Sequence, residues 1–314
     1  HQWCGRYHPD PRRAQMRILQ GVMKRAIAGT LKVEVETFSA LAYGMKQSTQ
    51  VSDFRGIADW FVWYDYFSVP QPTAREAAAF CHTDIDTDLG KAINSLGSYV
   101  ERCKWFFVLA PPVLHEQGYV IDYNSWKRRG WCRFERLAQV LAPVADTKVH
   151  VIKDDTTVWQ AVAHQWLTEP VGCGSFTIDS DKAMLAIKLT QLIHRKLRYI
   201  SAFGSVSEYR RWMGSLASLF KGLPVDWKSV RPAEHKDVRF ASWVDEFLTM
   251  HHFESATDTP HGTSALHIAA ALGDEQLMMA LLSRRASVHT RERRNVPEFC
   301  IFSGSRPLHV AASQ

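Results

Sequence analysis

The chain has 314 residues and a net charge of +6, with 46% hydrophobic and 22% charged residues. That length exceeds one comfortable core and gives two domains as the expectation, while the apolar content excludes a largely disordered chain. No apolar run approaches the ~20 residues needed to cross a bilayer, and the longest, Trp105 to Pro112, suits a buried strand.

The positive charge raises nucleic acid as a partner, but its distribution argues against one. The basic clusters at Lys127-Arg128-Arg129, His194-Arg195-Lys196 and Arg291 to Arg294 are small, scattered and not interleaved with aromatic residues, as a base-stacking surface would require. The cysteines Cys4, Cys81, Cys103, Cys132, Cys173 and Cys300 form no CxxC pair. Unpaired thiols fit a reducing compartment and a cytoplasmic location better than a zinc site or a disulfide framework. The chain opens on His1 and closes on Gln314, and both ends read as cut.

Along the chain, Ala14 to Ala28 carries Ile18, Leu19, Val22, Met23 and Ala26 on one face and is closed by Gly29, which predicts a helix. Trp60 to Tyr64 is a continuous apolar run, predicting a strand covered on both faces. Leu89 to Cys103 reads as a helix, Trp105 to Ala110 as a strand and Gly130 to Leu141 as a helix with Trp131, Phe134, Ala138 and Leu141 inward. Val149 to Ile152 reads as a strand, Thr157 to Leu167 as a helix, Ser175 to Ile178 as a short strand and Asp181 to Tyr199 as a helix. Alternation at this spacing predicts an α/β fold with a parallel sheet, in which ligands sit beyond the carboxyl ends of the strands. Those ends carry Asp65 to Ser68, Ala110 to Pro112 and the approach to Trp131. Ser201 to Ser255 holds two amphipathic stretches, Tyr209 to Phe220 and Phe240 to Met250, split at Gly222-Leu223-Pro224. It reads as a helical linker.

Smaller features read as structural. Asp84, Asp86 and Asp88 have metal-loop spacing without the following Gly and Glu, so they are assigned to capping and no metal is expected. Gly172-Cys173-Gly174 reads as a turn, and Ser68 lacks the G-x-S-x-G setting of a hydrolase nucleophile.

Near the end, Gly262-Thr-Ser-Ala-Leu266-His267-Ile-Ala-Ala270 recurs as Gly304-Ser-Arg-Pro-Leu308-His309-Val-Ala-Ala312. With Gly273, Leu281-Leu282 and Ala286, this resembles the ankyrin repeat, in which the histidine ties neighbouring repeats together and small residues let two helices approach. Gly273 is expected to close the first helix in a left-handed conformation, with Leu277, Leu281 and Leu282 on the inner face of the second. His267 and His309 stand 42 apart, against about 33 in a standard repeat. The surplus of about nine residues, around Arg293 to Cys300, is expected to extend a loop.

Arg129-Gly130-Trp131-Cys132-Arg133-Phe134-Glu135, preceded by the Lys104 to Ala110 and Val62 to Ser68 segments, resembles the S-x-W-C-x-x-E region of TIR (Toll/interleukin receptor-like) domains. His1-Gln2-Trp3 then resembles the loop after a first strand that is missing. The order of these motifs is also similar to protist proteins that join a TIR-like domain to ankyrin repeats. The resemblance implies a TIR/flavodoxin-like parallel sheet domain over 1–200, an α-helical linker over 201–255 and truncated ankyrin repeats over 256–314. Functionally it implies an intracellular signalling or scaffold protein. Protein partners would sit on the repeats, and the TIR-like module would assemble with its own kind. TIR domains also cleave NAD, so the alternative is an NAD glycohydrolase in which NAD is substrate and no resident cofactor is needed.

In that alternative, the resemblance places Glu135 at the ribose, where a carboxylate stabilises an oxocarbenium-like transition state. Trp3 is the candidate to stack nicotinamide, and Asp65 and Ser68 are the candidate contacts from the neighbouring loop. The loop Val69-Pro70-Gln71-Pro72 departs from the glycine-bearing TIR pattern. Glu135 is expected at the margin of the buried helix stripe, within reach of Asp65 to Ser68, and ionised by the helix dipole.

Overall fold

The computed structural model describes residues 1–5, 8–35, 40–41, 46, 49–69, 88–143, 148–231 and 241–312. The chain divides into one unit comprising His1–Ala40, Met45–Gln139 and Ala145–Ala161, and a second comprising Leu41–Gly44, Val140–Val144 and Val162–Gln314.

In the first unit, the helix Ala14–Ile27 buries Val22 and Ala26, and Gly29 (φ 69°) turns the chain into the strand Lys32–Val35 (β1). After the helix Asp88–Arg102 come Phe106–Leu109 (β2), the short antiparallel pair Val113–Leu114 (β3) and Val120–Ile121 (β4), then Val149–Ile152 (β5) and Thr157–Gln160 (β6). The main sheet has the order β1-β6-β5-β2. β1 runs parallel to β6 and β2 parallel to β5, but β5 and β6 are antiparallel.

The expected all-parallel sheet is therefore a mixed one, and the reason is local. Asp154 Oδ1 accepts from Thr156 N (2.8 Å), Thr157 N (2.8 Å) and Thr156 Oγ1 (2.7 Å), an aspartate turn that sends the chain straight back along β5. Thr157 to Gln160 is consequently a strand rather than the start of a helix, and the expected Thr157–Leu167 helix is reduced to the turn Gln165–Thr168 at its end. β5 is buried along its whole length, as its Val-His-Val-Ile sequence predicts.

Two further expectations fail. Trp60 to Tyr64 is no strand; these residues form irregular backbone leading into a helical turn, Asp65–Ser68, and Phe61 is fully exposed. Ser175 to Ile178 forms no strand either, following a turn at Val171–Cys173. The helix Gly130–Leu141 stands as predicted, with Phe134, Ala138 and Leu141 all shut off from solvent, but Trp131, also expected inward, is only half-buried. Asp84, Asp86 and the Pro70-Gln71-Pro72 loop lie outside the described residues.

The second unit is helical. Asp181–Phe203 is its longest helix, with Leu185, Leu189, Leu192, Ile193 and Leu197 buried along one stripe. Val206–Gly214 and Leu216–Leu219 follow, then Trp243–Met250 and the pair Ala265–Ala271 and Glu275–Ser283. One crossing admits no side chains. A Cβ on Gly172 would lie 2.2 Å from the carbonyl carbon of Gly222, itself at φ 77°.

Ser264 caps Ala265–Ala271 by accepting from His267 N, and Gly273 (φ 63°) closes that helix as expected. Leu277 and Leu281 point inward, whereas Leu282 is 39% exposed and does not join them. The second motif forms the helix Pro307–Ala311.

Candidate functional site

The amino-terminal segment is clamped by a reciprocal amide pair. Gln2 N donates to Gln15 Oε1 (3.0 Å), and Gln15 Nε2 donates back to the Gln2 carbonyl (2.9 Å). Ser125 Oγ donates to Gln2 Oε1 (2.8 Å). With Gln2 fixed inward, His1 packs on Tyr64 (ring centroids 5.1 Å apart, stacked), and its Nδ1 lies 2.5 Å from Asp65 Oδ1.

His1, Tyr64 and Asp65 border a cavity of about 490 Å³. Its walls are aromatic. Trp60 stacks on Trp105 (5.8 Å, 14°), Trp63 stacks on Tyr99 (5.5 Å, 28°), and Phe107 lies alongside. The apolar run at Trp60 is thus explained by the cavity it lines, a role sequence pattern alone does not separate from that of a buried strand. Trp105 Nε1 is buried without a hydrogen-bond partner among the described residues.

Glu135 reaches the same cavity as Asp65, from the helix Gly130–Leu141. Its pKa is raised to about 7, first by burial and then by the negative charge of Asp65, while Arg129 pulls the other way. This corrects the expectation of a dipole-held anion. Counted from Gly130, Glu135 sits in the second turn, beyond the reach of the helix N-terminus, and desolvation prevails. Arg133 Nε donates to the Lys127 carbonyl (2.7 Å). Cys132 is buried, and its thiol is pushed up to about 12 by desolvation, which makes it an inert packing group.

The structure brings Glu135 and Asp65 to one cavity and leaves the other two candidates outside it. Trp3 is 39% exposed and meets Tyr66 edge-on (5.9 Å, 89°). Ser68 is exposed, and its Oγ accepts from Tyr64 N (3.0 Å), closing the turn Asp65–Ser68. Sequence reasoning missed His1, Trp60, Trp63 and Trp105 as cavity residues. The density of aromatic residues from Trp60 to Phe67 was the available signal.

In the second unit, the two copies of the motif meet through His267, whose Nδ1 bonds Ser264 Oγ (2.9 Å) while Nε2 reaches the Ser305 carbonyl (3.1 Å). Glu292, buried between them, accepts from Thr263 Oγ1 (2.6 Å) and from the backbone N–H groups of Arg293 (2.9 Å) and Arg294 (3.1 Å). The flanking Arg291 and Arg293 are exposed and edge a polar cleft with Thr259, Thr290 and Ser303.

Among the described residues no helix is long and apolar enough to cross a membrane. No curated protein and no solved structure matches the chain. The ankyrin repeat family model matches residues 261–293, so this stretch is an ankyrin repeat and gives the chain a protein-binding element.

Proposed function

We propose that the chain is a signalling or scaffold protein whose ankyrin repeats hold a protein partner, with a TIR-like assembly module within the span 1–200. The repeat at 261–293 carries this reading. Its histidine and glutamate are consumed in holding the repeat together, so recognition falls to exposed side chains, with Arg291 and Arg293 beside the polar cleft favouring a partner surface rich in carboxylates. The test is the double reversal Arg291→Glu with Arg293→Glu. Partners retained by the wild-type chain should be lost, at an unchanged melting temperature. Full retention of every partner by the folded variant would remove this surface from the proposal. Self-association is tested separately by sedimentation over a hundredfold range of concentration.

The cavity favours a second reading, cleavage of the nicotinamide–ribose bond of NAD with Glu135 at the ribose. The observation behind it is a carboxyl in an aromatic cavity with a second carboxylate beside it. Nicotinamide departs as a neutral base that needs no proton, so the ionised form of Glu135 would be the one that stabilises the cationic sugar. Turnover should then rise with pH through about 7 and vanish in Glu135→Gln. Absence of NAD loss from the intact protein at pH 8 would exclude this reading and leave the first untouched.

A further inference from the structure

The surplus of the stretched repeat is not the surface loop that its position suggests. Val296, Phe299, Cys300 and Ile301 are all buried. The segment folds into a small hairpin in which Val296 N donates to the Ile301 carbonyl (2.6 Å), Ile301 N donates to the Val296 carbonyl (3.2 Å), and Pro297–Phe299 makes a tight turn. Cys300 is held at φ 54°, a left-handed conformation that a side chain adopts only when its surroundings impose it.

The hairpin places Phe299 against two tryptophans from the helical part of the same unit. Trp166 and Trp212 stack on each other (5.5 Å, 22°), and Phe299 meets both edge-on, at 5.5 Å and 4.9 Å. Trp166 Nε1 donates to the Glu298 carbonyl (2.9 Å), so the indole is fixed by the hairpin backbone as well as its ring. Beside Trp212, the buried Arg211 lies in the field of Glu292, Glu208 and Glu298, two of which belong to the repeat and its hairpin. At another point of the repeat, Arg284 engages Asp245 through Nη1, and its Nη2 donates to Ser242 Oγ (2.9 Å) at the start of Trp243–Met250.

We infer that the hairpin 294–303 is a clasp that fastens the ankyrin repeat to the helices carrying Trp166 and Trp212 and, through the packing of Val206–Gly214 on Asp181–Phe203, to that long helix, so that repeat and helices open as one cooperative body. In an ordinary solenoid each repeat leans only on its neighbours and frays from its ends. Here the repeat has a third support, and a partner that stabilises it stabilises Asp181–Phe203 and Val206–Gly214 by linkage. The clasp stands or falls independently of which partner the repeat takes.

Native-state hydrogen exchange on the whole chain, followed with rising urea, reads this directly. The slowest amides of Ala265–Ala271 should merge with those of Asp181–Phe203 into one opening reaction. Phe299→Ala should split them, with repeat amides exchanging at least tenfold faster than those of Asp181–Phe203. Trp166→Phe, which keeps a ring but removes the donor, should open a smaller gap of the same sign. Repeat amides that exchange through a lesser opening in the wild-type chain would overturn the inference, and that measurement needs no variant to fold. Merged exchange that persists in a folded Phe299→Ala would overturn it equally.

Discussion

Two aromatic clusters, one in each unit, are built from similar residues and differ in what surrounds them. Trp60, Trp63 and Trp105 stand around open space with two carboxylates at its edge, and the buried Trp105 N–H has no partner among the described residues. Trp166, Trp212 and Phe299 are each no more than 2% exposed, they fill their slot, and the Trp166 N–H is satisfied by Glu298. Aromatic content therefore separates nothing by itself. An unmet donor beside empty volume marks a place for a ligand, while a met donor in a filled slot marks stability.

That contrast can be broken in descending order of effect. Phe299→Ala should cost about 3–5 kcal/mol in urea unfolding, because a fully buried ring leaves a cavity that stacked indoles do not refill. A loss below about 1 kcal/mol would make the filled slot as loose as the open one.

Glu135→Gln should act in the opposite direction. The folded-state pKa of about 7 lies above the unfolded value, so the native chain binds the proton more tightly. Stability linked to this group is complete below about pH 4.5 and lost as pH rises through about 7. The glutamine variant should thus gain up to about 3 kcal/mol over the wild type at pH 8 and nothing at pH 4. A destabilised variant at pH 8 would show that Glu135 braces the fold.

His251 sharpens the picture within the second unit. It is fully buried, neither ring nitrogen has a partner among the described residues, and its pKa is lowered to about 3 by burial and then by Arg210 and His252. A depressed base contributes stability above its unfolded pKa of about 6.5, and that stability is lost as pH falls toward 3. At pH 5 the loss should be about 2 kcal/mol relative to pH 7.5, and His251→Leu should abolish this acid dependence, read as the shift in urea midpoint. Trp166→Phe should have the smallest effect, about 1–2 kcal/mol for one hydrogen bond to Glu298 and the part of the slot that the smaller ring leaves empty. Equal loss in Trp166→Phe and Phe299→Ala would mean that the donor, not the filled slot, holds the cluster.

Local signals are legible in the sequence where one force dominates. β5 and the helix Gly130–Leu141 follow from uninterrupted burial and from a clean helical stripe. The His267 tie between the two copies of the motif follows from the motif itself. β6 was legible too, since Asp154-Asp155-Thr156 is a turn sequence and Thr157-Val158-Trp159 favours strands, but the helical spacing beyond it carried more weight. The repeat insertion, expected as a loop extension, is buried instead, and the apolar set Val296, Phe299, Cys300 and Ile301 is the signal that the repeat spacing overrode. The cavity was not legible, because residues that line a hollow and residues that fill a core share one composition. Nor was the state of Glu135, which depends on Asp65, a residue 70 positions away in sequence.

The mixed polarity of the main sheet has an electrostatic consequence. β2 and β5 point one way and β6 and β1 the other, so the small dipoles of the strands oppose each other in equal number. No long-range field from the sheet polarises the groups at its edges. The state of Glu135 is set instead by burial first and then by near neighbours, Asp65 pushing and Arg129 pulling. The acidity of that carboxyl is accordingly adjustable one side chain at a time, with the backbone left as it is.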